Sequence, residues 1–195
     1  RIESRVKECG GDVMMTSADC SCGTQRCEEV LSALERAGEC YDLVVNVQGD
    51  EPLIKKEQLE DVVSLFENGD CQIATLAKKI ESAEDLFSPN CVKVVFAENR
   101  AIYFSRSVIP YLRGVEKEDY LKFACHYKHI GLYAYRSEAL HEVVRLPLSA
   151  LEKAESLEQL RWLENGLRIF IKPTAFESFG VDTPEDLERI NRMLE

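Results

Sequence analysis

The fold of this chain is decided by one stretch, Leu43-Val44-Val45-Asn46-Val47-Gln48-Gly49-Asp50-Glu51-Pro52. Its first five residues are apolar except for one asparagine, which predicts a strand covered on both faces, as in a parallel sheet. The residues that follow are polar or turn-forming, so the strand ends abruptly. Because ligands of open α/β sheets bind beyond the carboxyl ends of the strands, we expect Asp50 to lie at a ligand-binding edge.

Strands and helices alternate on both sides of this stretch. Apolar residues at helical spacing cover 27–34 before it and 59–66 after it, and a second buried strand is expected over 73–80. Val13-Met14-Met15 also predicts a short buried strand. Because the chain contains no internal repeat and no linker, we predict a single doubly wound α/β domain over residues 1–195 with a mostly parallel sheet.

Three local signals add detail to this prediction. Apolar runs on either side of Glu98-Asn99-Arg100 predict a β-hairpin, so we expect a mixed sheet. Thr183 followed by Pro184 predicts the start of a C-terminal helix, with the threonine as its N-cap. Ser149 and Glu152 have the spacing of a capping box at the start of another helix.

The composition argues against several classes of function. A formal net charge of -11 is the opposite of what a nucleic-acid surface needs, since such surfaces cluster Lys and Arg. We find neither a signal peptide nor an apolar run long enough to cross a bilayer, so no membrane association is expected. The eight cysteines are too widely spaced for a small secreted scaffold, so we expect reduced thiols in a cytoplasmic protein.

Two aspartates are candidates for sharing one cation. Asp50 follows the first buried strand, and Asp182 ends the Gly180-Val181-Asp182 turn just before the predicted C-terminal helix. Mg²⁺ prefers oxygen ligands and is typically held by one or two carboxylates together with substrate phosphates. The alternative is that each aspartate caps a turn or a helix, and spacing alone does not decide between the two interpretations.

Six motifs occur in order along nearly the whole chain. They are Asn46 to Pro52, Val92-Lys93-Val94-Val95, Tyr103-Phe104-Ser105-Arg106, Lys128-His129-Ile130-Gly131-Leu132-Tyr133, Leu157-Glu158-Gln159-Leu160-Arg161 and Gly180-Val181-Asp182-Thr183-Pro184-Glu185-Asp186. Any one of them could arise from turn or capping requirements, whereas several in order are specific. Together they resemble the 3-deoxy-manno-octulosonate (Kdo) cytidylyltransferases, also called CMP-Kdo synthetases.

The resemblance implies a Rossmann-like nucleotidyltransferase fold, with a β-hairpin and dimerisation excursion and a homodimeric enzyme. It implies that the anomeric 2-hydroxyl of the sugar acid attacks the α-phosphate of CTP, giving CMP-Kdo and pyrophosphate for lipopolysaccharide biosynthesis. Mg²⁺ is the implied cofactor, with Asp50 and Asp182 as catalytic residues and metal ligands. The implied sugar-acid site consists of Gln48, Lys93, Arg106, His129, Tyr133, Glu158 and Gln159.

Most of these sugar-site residues also have ordinary structural interpretations. Tyr133 could be a half-buried strand aromatic, and His129 a hydrogen-bonded core histidine. Glu158 and Gln159 could lie on the solvated edge of a helix. Arg106 closes an otherwise apolar strand, so its head group needs an anionic ligand, a structural salt bridge or water.

The loop that binds the nucleotide base departs from the family pattern. The family usually has H-x-S-G-T-x-R, whereas this chain has Cys20-Ser21-Cys22-Gly23-Thr24-Gln25-Arg26, so the implied nucleotide-binding residues are Cys22, Gly23, Thr24 and Arg26. A thiol is a weaker hydrogen-bonding group than a hydroxyl, so we expect changed base affinity or selectivity. A zinc site at Cys20, Cys22 and Cys27 is disfavoured because no fourth ligand lies nearby in the sequence.

Members of the family begin with a strand and a basic, glycine-containing loop that cradles the triphosphate. We expect such a segment to precede Arg1 in the intact protein, and a chain without it to turn over little substrate. The alternative functions are activation of another acidic sugar, such as amino-Kdo or sialic acid, and a catalytically impaired nucleotide- or sugar-binding relative. An acidic interaction protein without a small-molecule site is a further alternative.

Overall fold

The computed structural model describes residues 1–67, 69–181 and 183–194, with the backbone alone at residue 186. Asp182, one of the two predicted magnesium ligands, therefore lies outside the described residues. The helices are α1 (Ile2–Glu8), α2 (Gly23–Arg36), α3 (Lys56–Ser64), α4 (Ala83–Phe87), α5 (Tyr120–Phe123), α6 (Ser137–Val143), α7 (Ala150–Glu155), α8 (Gln159–Glu164) and α9 (Pro184–Leu194). The strands are β1 (Leu43–Asn46), β2 (Ile73–Lys79), β3 (Lys93–Ala97), β4 (Arg100–Ser105), β5 (Tyr127–Arg136) and β6 (Ile169–Thr174). Within the described ranges, no helix combines the length and apolar character that crossing a membrane requires.

The described strands form one six-stranded sheet in the order β1-β5-β2-β6-β4-β3. Its mixed character confirms the prediction, but the expected predominance of parallel pairs needs correction. Only β2 and β6 pair in parallel among these neighbours. β5 runs antiparallel between β1 and β2, and β4 runs antiparallel between β6 and β3. An apolar run such as 43–47 reports that both faces of a strand are covered, and it carries no information on the direction of the neighbouring strand.

The local signals in the sequence had mixed outcomes. The hairpin of β3 and β4 is confirmed, and positive φ at Glu98 and Asn99, 49° and 61°, matches the turn type that two-residue hairpins favour. The capping box at Ser149 and the helix start at Pro184 are also confirmed. The strand predicted over Val13-Met14-Met15 is wrong, since these residues pair with no strand and Met15 is 74% exposed.

Two apolar clusters sandwich the sheet, and β5 contributes to both. Tyr133 and Tyr135 of β5 pack with Trp162 of α8 on one face. Ile130 and the alternate residues after it face Val62 of α3 on the other face. Because both faces of the sheet are covered by helices, its ligand-accessible surface is confined to the strand ends.

The first strand, β1, has a hydrogen-bonded neighbour on one side only among the described strands, namely β5. An apolar groove of about 510 Å³ runs along its other edge, between the strand and α2. Its walls include Met14, Val30, Leu34, Leu43 and Val45. An unpaired edge with apolar walls is a template for strand pairing.

Candidate active site

A polar cavity of about 470 Å³ opens at the carboxyl end of β1. Its walls come from the loop after β1 (Asp50 and Glu51), the first half of β5 (128–131) and the loop before α9 (Ser178 and Gly180). These segments are distant in sequence and meet because strand ends in the sheet share an edge. The cavity therefore lies where the sequence predicted a ligand site.

A register irregularity in β5 shapes the cavity. Thr75 of β2 is opposite Tyr133, whereas its neighbour Leu76 is opposite Ile130, so Gly131 and the residue after it fall outside the regular ladder. A β-carbon on residue 131 would lie 3.8 Å from Oε1 of Glu51. The loop after β1 therefore lies directly against the irregular part of β5.

The loop after β1 is fixed to the segment before α9 by two hydrogen bonds. The backbone N–H of Val181 donates to the carbonyl oxygen of Asp50 at 2.9 Å, and the Ser178 hydroxyl donates to the Glu51 carboxylate. The Asp50 side chain is exposed at this junction. Among residues 1–67, 69–181 and 183–194, no three His, Cys, Asp or Glu side chains are grouped to hold a metal ion.

His129 lies between the cavity and the core. Its Nε2 is 3.0 Å from Oγ1 of Thr75, and that hydroxyl is 2.7 Å from the carbonyl oxygen of Leu132. Because the threonine hydroxyl donates to this carbonyl, its oxygen accepts from the Nε2–H of His129. Burial lowers the pKa of His129 to about 3, so the imidazole is neutral.

Glu158 links α8 to the start of α2. Its carboxylate accepts from the Thr24 hydroxyl at 2.8 Å and from the Cys22 thiol at 3.2 Å. A β-carbon on Gly23 would lie 3.4 Å from Oε1 of Gln48, so the start of α2 lies next to this side chain. The structure thus brings predicted sugar-site and nucleotide-site residues together at one junction.

Lys93 and Arg106 form a separate group. The buried Lys93 ammonium donates to the carbonyl oxygens of Ser88, Cys91 and Arg106 at 2.6 to 2.8 Å. The Arg106 guanidinium donates to three further carbonyl oxygens, at 2.7 to 3.3 Å. They are those of Pro89, Glu155 and Ser156. Both cations therefore brace the 88–91 loop, which forms part of the cavity rim.

Comparison with known proteins assigns the chain to a family. The profile described as cytidylyltransferase matches residues 1–169. A 3-deoxy-manno-octulosonate cytidylyltransferase of Parabacteroides distasonis is 52% identical over 194 residues, covering 97% of this chain and 76% of the relative. One of Phocaeicola vulgatus is 53% identical over 198 residues, covering 100% and 77%. The chain belongs to the 3-deoxy-manno-octulosonate cytidylyltransferase family.

Solved structures agree with this family assignment. A CMP:2-keto-3-deoxy-manno-octonic acid synthetase complexed with CTP superposes with a TM-score of 0.88 at 38% identity, covering 100% of this chain and 76% of that one. A glucose-1-phosphate thymidylyltransferase from Bacillus anthracis has a TM-score of 0.59 at 16% identity, covering 98% and 70%, which shows a shared fold alone. This CTP-dependent cytidylyltransferase therefore has a nucleotidyltransferase fold.

In this cytidylyltransferase, Tyr133 and Gln159 are more deeply buried than the other predicted sugar-site residues on β5 and α8. Tyr133 is 7% exposed and stacks on Tyr135, with ring centroids 5.9 Å apart. Its hydroxyl has no hydrogen-bond partner among the described residues, and burial raises its pKa well above the usual range. Gln159 is 6% exposed at the start of α8.

The two cysteines that depart from the family pattern have different partners. In this cytidylyltransferase, the Cys20 thiol donates at 3.1 Å to the carboxylate of Glu29, which lies in α2. Arg26 donates to Oγ1 of Thr16 at 2.6 Å and to the Cys20 carbonyl oxygen at 3.2 Å. Cys20 and Arg26 therefore fix the loop ahead of α2, whereas Cys22 belongs to the Glu158 junction.

Sequence reasoning missed several side chains that line or support the cavity. Lys128 lies one position before His129 in a motif that was recognised, so its adjacency was a usable signal. Thr75 and Glu177 gave no signal, because the first lies inside a buried strand and the second is a single acid in a loop. Arg189 faces the cavity from α9 and was treated only as part of the last helix.

Proposed function

We propose that this enzyme transfers the cytidylyl group of CTP to Kdo. The oxygen of the sugar's anomeric 2-hydroxyl forms a bond to the α-phosphorus and loses its proton, while the bond between that phosphorus and the α,β-bridging oxygen breaks. CMP-Kdo and pyrophosphate result, and the product serves lipopolysaccharide biosynthesis. The observation that carries the proposal is the junction of the Asp50 loop with Val181 at the edge of the cavity.

Asp50 and Asp182 are the proposed magnesium ligands. The hydrogen bond from the Val181 N–H to the carbonyl oxygen of Asp50 supports this proposal, because it holds the segment before α9 against the Asp50 loop. An exposed Asp50 carboxylate beside a polar cavity suits Mg²⁺, which takes one or two carboxylates and completes its shell with phosphate and water. When bound, the ion would lessen the repulsion between two anionic substrates and polarise the α-phosphate.

The proposed sugar site uses the residues beside this cavity. Neutral His129 donates from Nε2 to Thr75, which leaves Nδ1 as an acceptor for a sugar hydroxyl. Gln48 lies between Gly23 and Gly131, close to both the α2 junction and the cavity. The further proposed members are Lys93, Arg106, Tyr133, Glu158 and Gln159, of which Lys93 and Arg106 support the rim through the backbone in this structure.

The proposed base site is the start of α2. Cys22, Gly23 and Thr24 lie at the amino end of a 14-residue helix, where backbone N–H groups point outward. Arg26 holds the preceding loop in place. We propose that the cytosine of CTP binds there, so that the Glu158 junction joins the base and sugar sites.

The assembly and compartment are also proposals. Tyr111 and Phe123 are 75% and 71% exposed in the segment between β4 and β5, and large exposed aromatics of this kind support a homodimer contact. All eight cysteines are free thiols, which suits a reducing cytoplasm. Neither a nucleic acid nor a membrane is a proposed partner, in keeping with the net charge of -11.

Pyrophosphate release tests the proposed function. The enzyme is assayed with CTP and Mg²⁺ against Kdo, amino-Kdo and sialic acid, with formation of each CMP-sugar followed in parallel. We expect Kdo to give the highest kcat/KM and no release when CTP or the sugar is omitted. A higher kcat/KM for another sugar would contradict the substrate, and saturable CTP binding without release would favour the catalytically impaired relative.

A further inference from the structure

Two lysines on neighbouring strands lie face to face beside the cavity. Lys78 of β2 is directly opposite Lys128 of β5 in the antiparallel register. Both side chains are 14% exposed, so water screens them poorly. Like charges in directly opposite positions destabilise a sheet unless an anion compensates them.

Glu177 supplies that anion. Its Oε1 is 2.5 Å from Nζ of Lys128, and its Oε2 is 4.0 Å from Nζ of Lys78. Lys78 also donates to the carbonyl oxygen of Ala175 at 3.2 Å, and Lys128 donates to Asp85 at 3.1 Å. Although burial lowers the pKa of Lys128, the hydrogen bonds to Glu177 and Asp85 raise it overall, so the ammonium stays charged.

The segment that carries Glu177 is the one that meets Asp50. It runs from the end of β6 toward α9, and its serine, Ser178, donates to Glu51. Three residues later the N–H of Val181 donates to the carbonyl oxygen of Asp50 at 2.9 Å. A continuous set of contacts therefore leads from the lysine pair to the loop of the proposed metal ligand.

We infer that Glu177 is a positioning residue: by bridging Lys78 and Lys128, it holds the segment before α9 against the Asp50 loop. The inference rests on the proposed function, because the geometry that Glu177 sets is that of the proposed magnesium site. Glu177 acts through the backbone of its own segment. Supporting contacts around metal ligands commonly change metal affinity by 10- to 100-fold when they are removed.

Glu177→Gln tests this role, since it removes the charge and keeps the shape. The Mg²⁺ concentration at half-maximal pyrophosphate release is expected to rise roughly tenfold, with the KM for CTP and Kdo measured at saturating Mg²⁺ changing less than threefold. Lys128→Met should have a similar effect, and the double variant should be no worse than either single one. Lys128→Arg retains the charge and should restore most of the affinity.

Asp61→Asn is the matched control. Asp61 of α3 pairs with Lys172 of β6 at 2.7 Å, so it too is a carboxylate that joins another segment to the sheet, but neither residue lines the cavity. This variant should leave the Mg²⁺ requirement unchanged. An unchanged Mg²⁺ requirement in Glu177→Gln would overturn the inference. So would an equal rise of the Mg²⁺ requirement in Asp61→Asn. Both conclusions hold even if the two variants melt at a lower temperature than the parent protein.

Hydrogen exchange separates this inference from the proposed function. In Glu177→Gln the amide of Val181 should exchange at least tenfold faster than in the parent protein, because its segment is less firmly held. If the parent enzyme releases no pyrophosphate, the proposed function is wrong. The exchange rate of the Val181 amide would still test whether Glu177 holds the segment. Unchanged exchange at Val181 would show that Glu177 does not hold the segment.

Discussion

Lys93 and Lys128 are opposite each other on β3 and β5, yet the regions around them differ in kind. Lys93 donates to three backbone carbonyl oxygens, and burial lowers its pKa. Lys128 pairs with the carboxylates of Asp85 and Glu177, and its pKa is raised despite burial. One lysine therefore binds the main chain, and the other binds side chains from two separate segments.

The different partners of Lys93 and Lys128 indicate which substitutions affect folding and which affect the site. Carbonyl partners around Lys93 belong to the 88–91 loop and the end of β4, so the lysine is part of the chain's internal packing. Carboxylate partners of Lys128 are partly exposed and join α4 and the segment before α9 to the sheet. We therefore expect substitutions around Lys93 to lower the free energy of unfolding, and substitutions around Lys128 to disturb the arrangement of the site.

The largest expected effect is on folding, from Lys93→Met. Lys93 has no exposed surface, and its removal leaves three partly buried carbonyl oxygens without their donor. Each buried acceptor left unpaired costs about 1–3 kcal/mol, partly offset because a charge no longer has to be buried, so the free energy of unfolding should fall by about 3 kcal/mol. Urea denaturation measures it. A loss below about 0.5 kcal/mol, typical of surface positions, would show that these hydrogen bonds do not stabilise the fold.

Lys128→Met should cost less stability, which sharpens the comparison. The side chains of its partners Asp85 and Glu177 are 42% and 33% exposed, so they regain water when the ammonium is removed. We expect the free energy of unfolding to fall by about 1 kcal/mol in the same urea experiment. If Lys128→Met were as destabilising as Lys93→Met, the distinction between the two regions would be wrong.

Cys22→Ser extends the comparison to the other side-chain junction, at Glu158. Burial raises the pKa of Cys22, so it is a neutral thiol and a weak donor to the carboxylate. A serine hydroxyl donates more strongly and should hold the start of α2 better, lowering the KM for CTP about threefold, or about 0.7 kcal/mol. Steady-state kinetics measure it, with Cys125→Ser as an exposed control. An unchanged or higher KM would exclude the junction from base binding.

The smallest expected effect is the pH dependence of stability from His141, another cation held by carboxylates. Burial lowers its pKa, but hydrogen bonds to Glu28 and Glu35 raise it above 6.5 overall. Its contribution is thus fully present below pH 6.5 and is lost as the pH rises through the folded-state pKa. We expect less than about 1 kcal/mol over that window. Comparing urea midpoints of His141→Gln and the parent at pH 6 and pH 9 checks it, and equal differences at both would contradict it.

Sequence reasoning succeeded where the cause was local. The strand predicted over 43–47, which ends one residue earlier at Asn46, follows from residue types within a few positions. The same holds for the turn at Glu98 and the helix start at Pro184. It failed where the outcome depends on distant partners. Val13-Met14-Met15 is apolar enough for a strand but has no strand to pair with, and the position of β5 between β1 and β2 is set by tertiary packing.

The candidate site divides in the same way. Asp50, His129 and Gly131 meet at one cavity, as expected of residues near strand ends and their loops. Lys93 was predicted to bind the sugar acid, and this role stays a prediction. In the structure its ammonium group donates to three backbone carbonyl oxygens. No pattern in the sequence could indicate this, because the carbonyl oxygens of every residue look alike until the chain is folded.

Anomalous diffraction from Mn²⁺ in crystals of the enzyme with CTP tests whether Asp50 and Asp182 share one ion, since Mn²⁺ replaces Mg²⁺ and its position can be located. We expect a single peak at about 2.0–2.2 Å from carboxylate oxygens of both Asp50 and Asp182, and beside the phosphates of CTP. A peak bound by CTP alone, or one bound by carboxylates elsewhere in the molecule, would contradict it.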